Sequence, residues 1–137
     1  TAWIAIAGTG LLASVAIAGF AGARINTTKS IPLGLYWESS APVAKGEYEQ
    51  GILVCGSGIG MEIAANKVPG VRAALAWNEE TARLSRTHND ANVIAVGERT
   101  TPPDTIDKIV RTFLTTDFEG GRHQRRVEKI TQLEQER

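Results

Sequence analysis

Gly51-Ile52-Leu53-Val54-Cys55-Gly56-Ser57-Gly58-Ile59-Gly60 is the stretch that decides how the rest of the chain is read. Apolar residues run into a cysteine and then into three alternating glycines. Met61 to Lys67, directly behind, has a helical pattern with small residues at Ala64 and Ala65 that permit close packing. A short apolar run closed by glycine reads as a buried strand, and strand, glycine turn and helix together open a parallel α/β unit. Glycine lets the backbone turn tightly and come close to a ligand. The free amides at a helix start face an anion, assisted by the helix dipole. A thiol at that point is expected to carry more thiolate near neutral pH, which places a base beside an oxyanion site. Two plainer readings stand beside this one: a structural turn, and an inert core thiol. The glycine spacing does not match the dinucleotide-binding fingerprint.

Downstream the pattern continues regularly. Val71–Trp77 reads as a second buried strand, and Glu79–Thr87 as a helix capped by Asn78. Asn92–Gly97 reads as a third strand. Pro102 and Pro103 open a helix over about Asp104–Thr115, with Ile106, Ile109, Val110, Phe113 and Leu114 on its apolar face. A last helix covers Gln124–Gln135. The order β-α-β-α-β-α-α implies an α/β fold with a partial, Rossmann-like parallel sheet. Three parallel strands make a narrow sheet, so this part is expected to seek a partner.

Upstream the chain changes character. Residues 2–23 carry no charge and end at Arg24. At about 1.5 Å per residue such a run can cross a hydrocarbon layer roughly 30 Å thick. It contains Gly8, Gly10, Gly19 and Gly22, which membrane helices tolerate. The expectation is an apolar N-terminal helix over residues 1–24 that anchors the chain in a membrane. The alternatives are a buried helix of a soluble fold, or a segment that supplies a helix or strand to the truncated sheet. Residues 25–48 look irregular, punctuated by Pro32, Gly34, Pro42 and Gly46, with a possible short strand at Leu33–Trp37. The α/β part is then residues 49–137.

Bulk properties exclude some classes. The chain has 137 residues with 15 basic and 15 acidic side chains, so its formal net charge is zero and nothing points to nucleic acid. A single cysteine rules out an internal disulfide and fits a reducing compartment or a thiol kept for chemistry.

Four further motifs follow the glycine turn: Asn66-Lys67-Val-Pro-Gly-Val-Arg72, Ser85-Arg86-Thr-His88-Asn89-Asp90-Ala-Asn92, Gly97-Glu98-Arg99, and Phe118-Glu-Gly-Gly-Arg122-His123 with Arg126-Val-Glu-Lys-Ile130. Together with Cys55–Gly60 they closely resemble the RpiB family of sugar-phosphate isomerases, which includes the galactose-6-phosphate isomerase subunits. The resemblance spans about residues 49–131. It implies that Cys55 is the base moving a proton between C2 and C1 through an enediolate. It implies that Ser57 contacts substrate, and that the amides around Ser57, Gly56, Gly58 and Gly60 form the anion hole. His88 would open the furanose ring and Asn89 would contact the sugar oxygens. Arg99, Arg122 and Arg126 would hold the phosphate. The implied substrate is a phosphorylated pentose, ribose 5-phosphate to ribulose 5-phosphate. The implied assembly is a homodimer or higher, with each site completed by two subunits. No metal and no organic cofactor is expected, and the compartment would be the cytoplasm. His88 as a helix C-terminal cap, and Arg122, His123, Arg125 and Arg126 as a solvated basic turn, are the plainer alternatives.

The family begins with a strand carrying an Asp-His pair, and nothing before Gly51 matches it. No histidine precedes His88. Weak or no turnover is therefore expected. Residues 2–48 instead resemble the start of the conjugal transfer signal peptidases, the TraF group of Ser–Lys proteases, through Ile25-Asn-Thr-Thr-Lys-Ser30-Ile-Pro-Leu-Gly34-Leu-Tyr-Trp37 and Ala41-Pro-Val-Ala-Lys45-Gly-Glu-Tyr48. This implies Ser30 as a nucleophile, an inner-membrane anchor at residues 2–23, and a seam near Lys45–Gln50. Ser30 lacks its expected downstream lysine, so a surface turn residue is the plainer reading. The readings that follow are a sugar-phosphate isomerase, a fragment of a membrane-anchored peptidase, and a non-enzymatic chimera.

Overall fold

The computed structural model describes residues 2–7, 24–28 and 43–136. Nine elements appear among them. They are β1 (Ala2–Ala7), β2 (Arg24–Thr28), β3 (Gln50–Cys55), α1 (Ile59–Ala65), β4 (Ala73–Leu75), α2 (Glu79–Asn89), β5 (Val93–Gly97), α3 (Pro103–Thr115) and α4 (Gln124–Gln135). The strands form one sheet in the order β2-β1-β3-β5-β4, and every pair is parallel.

The strands β3 and β5 are apolar on both faces because packed elements cover both. Ile52 and Val54 of β3, with Ile94 and Val96 of β5, pack under α2 and α3 against Ala82, Ile106, Ile109, Val110 and Phe113. The alternate residues Leu53, Val93 and Ala95 point the other way, to Met61, Ala65, Val68 and Val71. Side chains alternate across a strand, so a strand buried twice reads as one continuous apolar run. The helix α3 buries Ile106, Ile109, Val110 and Phe113, the i, i+3, i+4, i+7 stripe that its sequence announces. At the start of α2 the Asn78 side chain accepts from Thr81 N, and the reciprocal Thr81 contact completes a capping box.

Two elements differ from expectation. The strand expected over Val71–Trp77 is only Ala73–Leu75. It is an edge strand, and the Asn66 side chain occupies its open side, accepting from Ala73 N at 2.8 Å and donating to Ala73 O at 2.9 Å. That blocks further pairing there.

The larger correction is at the N-terminus. Residues 2–7 are not the start of a helix. They are β1, held between β2 and β3, with Ala2 opposite Gln50 and Ile6 opposite Val54. A single helix over residues 2–23 is therefore excluded. No helix among the described residues is long and apolar enough to cross a membrane. The sheet has five strands rather than three, so its first part is not absent, and β2 over Arg24–Thr28 falls in the stretch expected to be irregular. The rest of that apolar run, the strand expected at Leu33–Trp37, and Ser30 lie outside the described residues.

Candidate active site

The strand β1 has β2 on one side and β3 on the other, so the winding direction of the sheet reverses between β1 and β3. In open α/β sheets a crevice forms at such a point, beyond the carboxyl ends of the strands, and ligands bind there. Cys55 is the last residue of β3, directly after Val54, which pairs with Ile6 of β1.

The loop after Cys55 is fixed from two sides. From within, Gly58 N donates to Cys55 Sγ at 3.1 Å and Ile59 N donates to Ser57 Oγ at 3.4 Å. One cradle amide is thus aimed at the sulfur itself. From outside, the turn after β5 locks on. Glu98 N donates to Cys55 O at 2.8 Å, and Arg99 N donates to Gly56 O at 3.0 Å. Two glycines make this fit. Gly58 has φ +80°, and a Cβ there would stand 2.5 Å from Leu75 Cδ1 and 3.0 Å from the Val96 carbonyl carbon. A Cβ on Gly97 would sit 2.7 Å from the Ser57 backbone.

The result is an open concavity of about 420 Å³ lined by Cys55, Gly56, Ser57, Gly60, Arg99 and Thr100. The Arg99 guanidinium crosses above Gly56, where a Cβ would come within 3.4 Å of its Nε. A soft nucleophilic atom, a hydroxyl and a guanidinium therefore face one space. Thr100 is the residue that sequence reasoning missed. Its only signal is its place next to Arg99.

The other expected site residues gather elsewhere. His88, near the end of α2, stacks on His123 with ring centroids 4.2 Å apart and planes 8° from parallel. Arg122 Nε donates to His123 Nε2 at 3.3 Å, and Glu119 Oε2 lies 3.8 Å from the same nitrogen. His123 is 4% exposed, so it does not belong to a solvated basic turn, whereas Arg122, Arg125 and Arg126 are exposed. Burial holds the His123 imidazole below its usual pKa, helped by the charges of His88, Arg122 and Arg126 and opposed by Glu119. Sequence reasoning did not single out His123 or Glu119 as site residues, although His123 stands inside a quoted motif.

The end of α2 just beyond His88 is pinned. Asp90 ends α2 in the left-handed region at φ 45°, and its carboxylate takes Arg86 at 2.9 Å and Arg72 at 3.1 Å. Arg72 also donates twice to the Asp90 carbonyl. The cap of α2 is thus Asp90, not His88. Asn89 donates to Leu84 O at 3.4 Å and lines a different hollow of about 380 Å³ with Asn66, Arg72, Ile130 and Leu133. None of His88, Asn89, Arg122 and Arg126 lines the Cys55 concavity.

Comparison with known proteins gives consistent matches. The family described as Ribose/Galactose Isomerase matches residues 36–130, beginning upstream of the expected seam. Ribose-5-phosphate isomerase B of Escherichia coli is 50% identical over 95 residues, 69% of this chain. The chain spans 64% of that relative's length, under two thirds. The structure of type B ribose 5-phosphate isomerase from Trypanosoma cruzi aligns over 100% of both chains with a TM-score of 0.86 and 40% identity. The Mycoplasma genitalium ribose-5-phosphate isomerase B structure with bound ribulose-5-phosphate aligns over 99% of this chain and 97% of its own, with a TM-score of 0.84 and 35% identity. Nothing in these matches supports the peptidase resemblance of residues 2–48.

Proposed function

Since the chain belongs to the Ribose/Galactose Isomerase family, we propose that it interconverts an aldose phosphate and a ketose phosphate, with ribose 5-phosphate and ribulose 5-phosphate as the pair. The observation that carries this is the Cys55 concavity. It joins a thiol, a hydroxyl, glycine-turn amides and a guanidinium at the switch point of the sheet.

The chemistry needs a base, an oxyanion site and a phosphate clamp. Cys55 removes the proton at C2 of the open-chain sugar and returns it at C1, while the O2 hydroxyl proton passes to O1. The electron pair moves through an enediolate, whose oxygens face the amides of the Gly56–Gly60 turn and Ser57 Oγ. Arg99 takes the phosphate by charge-assisted hydrogen bonds. His88, Asn89, Arg122 and Arg126 serve ring opening, sugar contacts and phosphate from a second copy of the chain, in a homodimer formed through the α/β part. Two observations support that division. These residues do not line the concavity of their own chain. Ile59 and Ile63, one turn apart on α1 beside the concavity, are 50% and 53% exposed.

The first fifty residues contain no aspartate and no histidine. The strand that would carry such a pair is present as β1, so only its side chains are missing. Turnover is accordingly proposed to be present but slow. The test is a coupled isomerase assay on the parent protein and on Cys55→Ala. Measurable conversion that vanishes in a folded Cys55→Ala protein supports the proposal. Conversion that survives in Cys55→Ala refutes the role of the thiol, and a folded dimer with no conversion of any pentose phosphate refutes the activity.

A further inference from the structure

We propose that His123 is a positioning residue that holds two expected site residues in one frame, His88 through a ring stack and Arg122 through a hydrogen bond. The role rests on the isomerase reading and deepens it. The rings of His88 and His123 lie face to face, 4.2 Å apart and 8° from parallel. Among the described residues no hydrogen bond reaches the His88 imidazole, so the flat face of His123 is what that ring rests on. Ring opening calls for an imidazole in this condition. The O1 hydroxyl of the furanose gives up its proton, the C1–O4 bond breaks as the C1=O1 bond forms, and O4 gains a proton. A neutral imidazole with both nitrogens unengaged can take the first proton and give the second. Arg122 is tied to the same ring. Its Nε donates to His123 Nε2 at 3.3 Å, which leaves both terminal amino groups of the guanidinium to fork onto a phosphate.

Packing alone does not explain a histidine at this position. His123 is almost fully buried, and its Nδ1 has no hydrogen-bond partner among the described residues. With Nε2 accepting from Arg122, the neutral tautomer carries its hydrogen on that unpartnered Nδ1. A buried, unpaired N–H is unfavourable, and a leucine or phenylalanine would fill the space without one. What the histidine adds is a flat face for His88 and an acceptor for Arg122. The backbone holds the ring in place. Gly120 and Gly121, at φ 64° and 55°, turn the chain before it. His123 N donates to Gly120 O, and the His123 carbonyl accepts from Arg126 N and Val127 N, each at 3.0 Å. Glu119 N donates to Thr87 O at 3.2 Å, which ties this turn to the end of α2 carrying His88. Burial holds the His123 imidazole below its usual pKa, so the ring under His88 stays neutral near neutral pH.

The test follows two reactions in the parent protein, in His123→Phe and in His123→Leu. The first is conversion of ribose 5-phosphate, which is cyclic and must be opened. The second is exchange of a C1 proton of ribulose 5-phosphate with deuterium from the solvent. The phosphate on O5 prevents that ketose from closing to a furanose, so exchange needs the base and the enediolate site but no ring opening. Phenylalanine keeps the flat face and lacks the acceptor, and leucine lacks both. In His123→Leu, kcat for ribose 5-phosphate should fall by at least about tenfold while exchange at saturation changes by less than about threefold. In His123→Phe, kcat should be retained, and KM should rise in both variants because Arg122 loses its acceptor. Equal losses of conversion and exchange in His123→Leu assign His123 a packing role and overturn the proposal, as does unchanged conversion in that variant. A folded parent protein with neither conversion nor exchange refutes the isomerase reading and the role of His123 with it. If neither variant folds, proton NMR of the parent protein decides. His88 ring protons shifted upfield by the His123 ring support the stack, and unshifted ones overturn it.

Discussion

Gly58→Ala adds one carbon at the centre of the candidate site. The backbone there has φ +80°, which costs an L-residue about 1–2 kcal/mol. The new Cβ would also meet Leu75 Cδ1 at 2.5 Å, the Val96 carbonyl carbon at 3.0 Å and Gly97 N at 3.2 Å. Leu75 is a movable side chain, but the other two atoms belong to β5, which is buried throughout. Forcing a methyl into packed surroundings costs about 1–3 kcal/mol. The two effects together come to about 2–5 kcal/mol, a large part of a typical stability of about 5–15 kcal/mol. Urea unfolding followed by circular dichroism reads this as a lower midpoint at unchanged slope. The double variant Gly58→Ala/Leu75→Ala separates the two causes. The side-chain clash should return about 0.5–3 kcal/mol as coupling energy, while the φ cost remains. A loss below about 0.5 kcal/mol in Gly58→Ala, the usual range for featureless surface changes, would refute the reasoning. Zero coupling with Leu75 would refute the clash alone.

Three further outcomes follow from other parts of the molecule. His123 has a folded-state pKa below its ordinary 6.5, so the unfolded chain binds more protons. Its contribution is therefore intact above about pH 6.5 and is lost as pH falls from there through the folded value. Urea midpoints measured with chelator at about pH 8 and about pH 5 should show a drop that is smaller in His123→Asn, and an equal drop would contradict the burial argument. Asp90→Asn keeps a side chain that tolerates the left-handed region and should cost about 1 kcal/mol from its two partly exposed ion pairs, whereas Asp90→Ala should cost about 1–2 kcal/mol more. Identical losses in the two variants would refute the backbone part. Ala5→Pro removes a donor from the middle of β1, between β2 and β3, and should cost at least about 1–3 kcal/mol from the orphaned acceptor. An unchanged unfolding curve would show that residues 2–7 are not an inner strand.

From β3 onward the fold was legible because each element carries its own punctuation. Asn78 caps α2, Pro103 opens α3, and the α3 stripe repeats at helical spacing. Only edges were misjudged. The strand expected at Val71–Trp77 is only Ala73–Leu75, and just before it Arg72 N donates to the Asn92 side chain instead of to a neighbouring strand. The concavity was legible too, since its residues are nearly consecutive and Arg99 sits in a quoted motif. The His88–His123 stack was not, because it joins a helix end to a turn more than thirty residues later, and no local pattern records that distance.

β1 was hidden for a different reason. Ala2–Ala7 is uninterrupted apolar sequence that continues into a longer run without charge. Length then favoured a spanning helix. The contrary signal was present. Ala-Trp-Ile-Ala-Ile-Ala followed by Gly8-Thr9-Gly10 repeats the arrangement of Gly51-Ile-Leu-Val-Cys followed by Gly56-Ser57-Gly58. The same two stretches pair in register, Ile4 with Ile52 and Ile6 with Val54. This separates two things that one strand usually supplies together. Its place in the sheet needs only apolar, β-competent backbone, which residues 2–7 provide. The aspartate and histidine that the family resemblance expects on that strand are a separate matter, and no residue before Gly51 provides them. Fold and site are specified by different side chains, so a chain can keep the crevice while changing what lines one wall. The proposed isomerase activity therefore turns on how much of the reaction Cys55, the glycine turn and the arginines perform without such a pair.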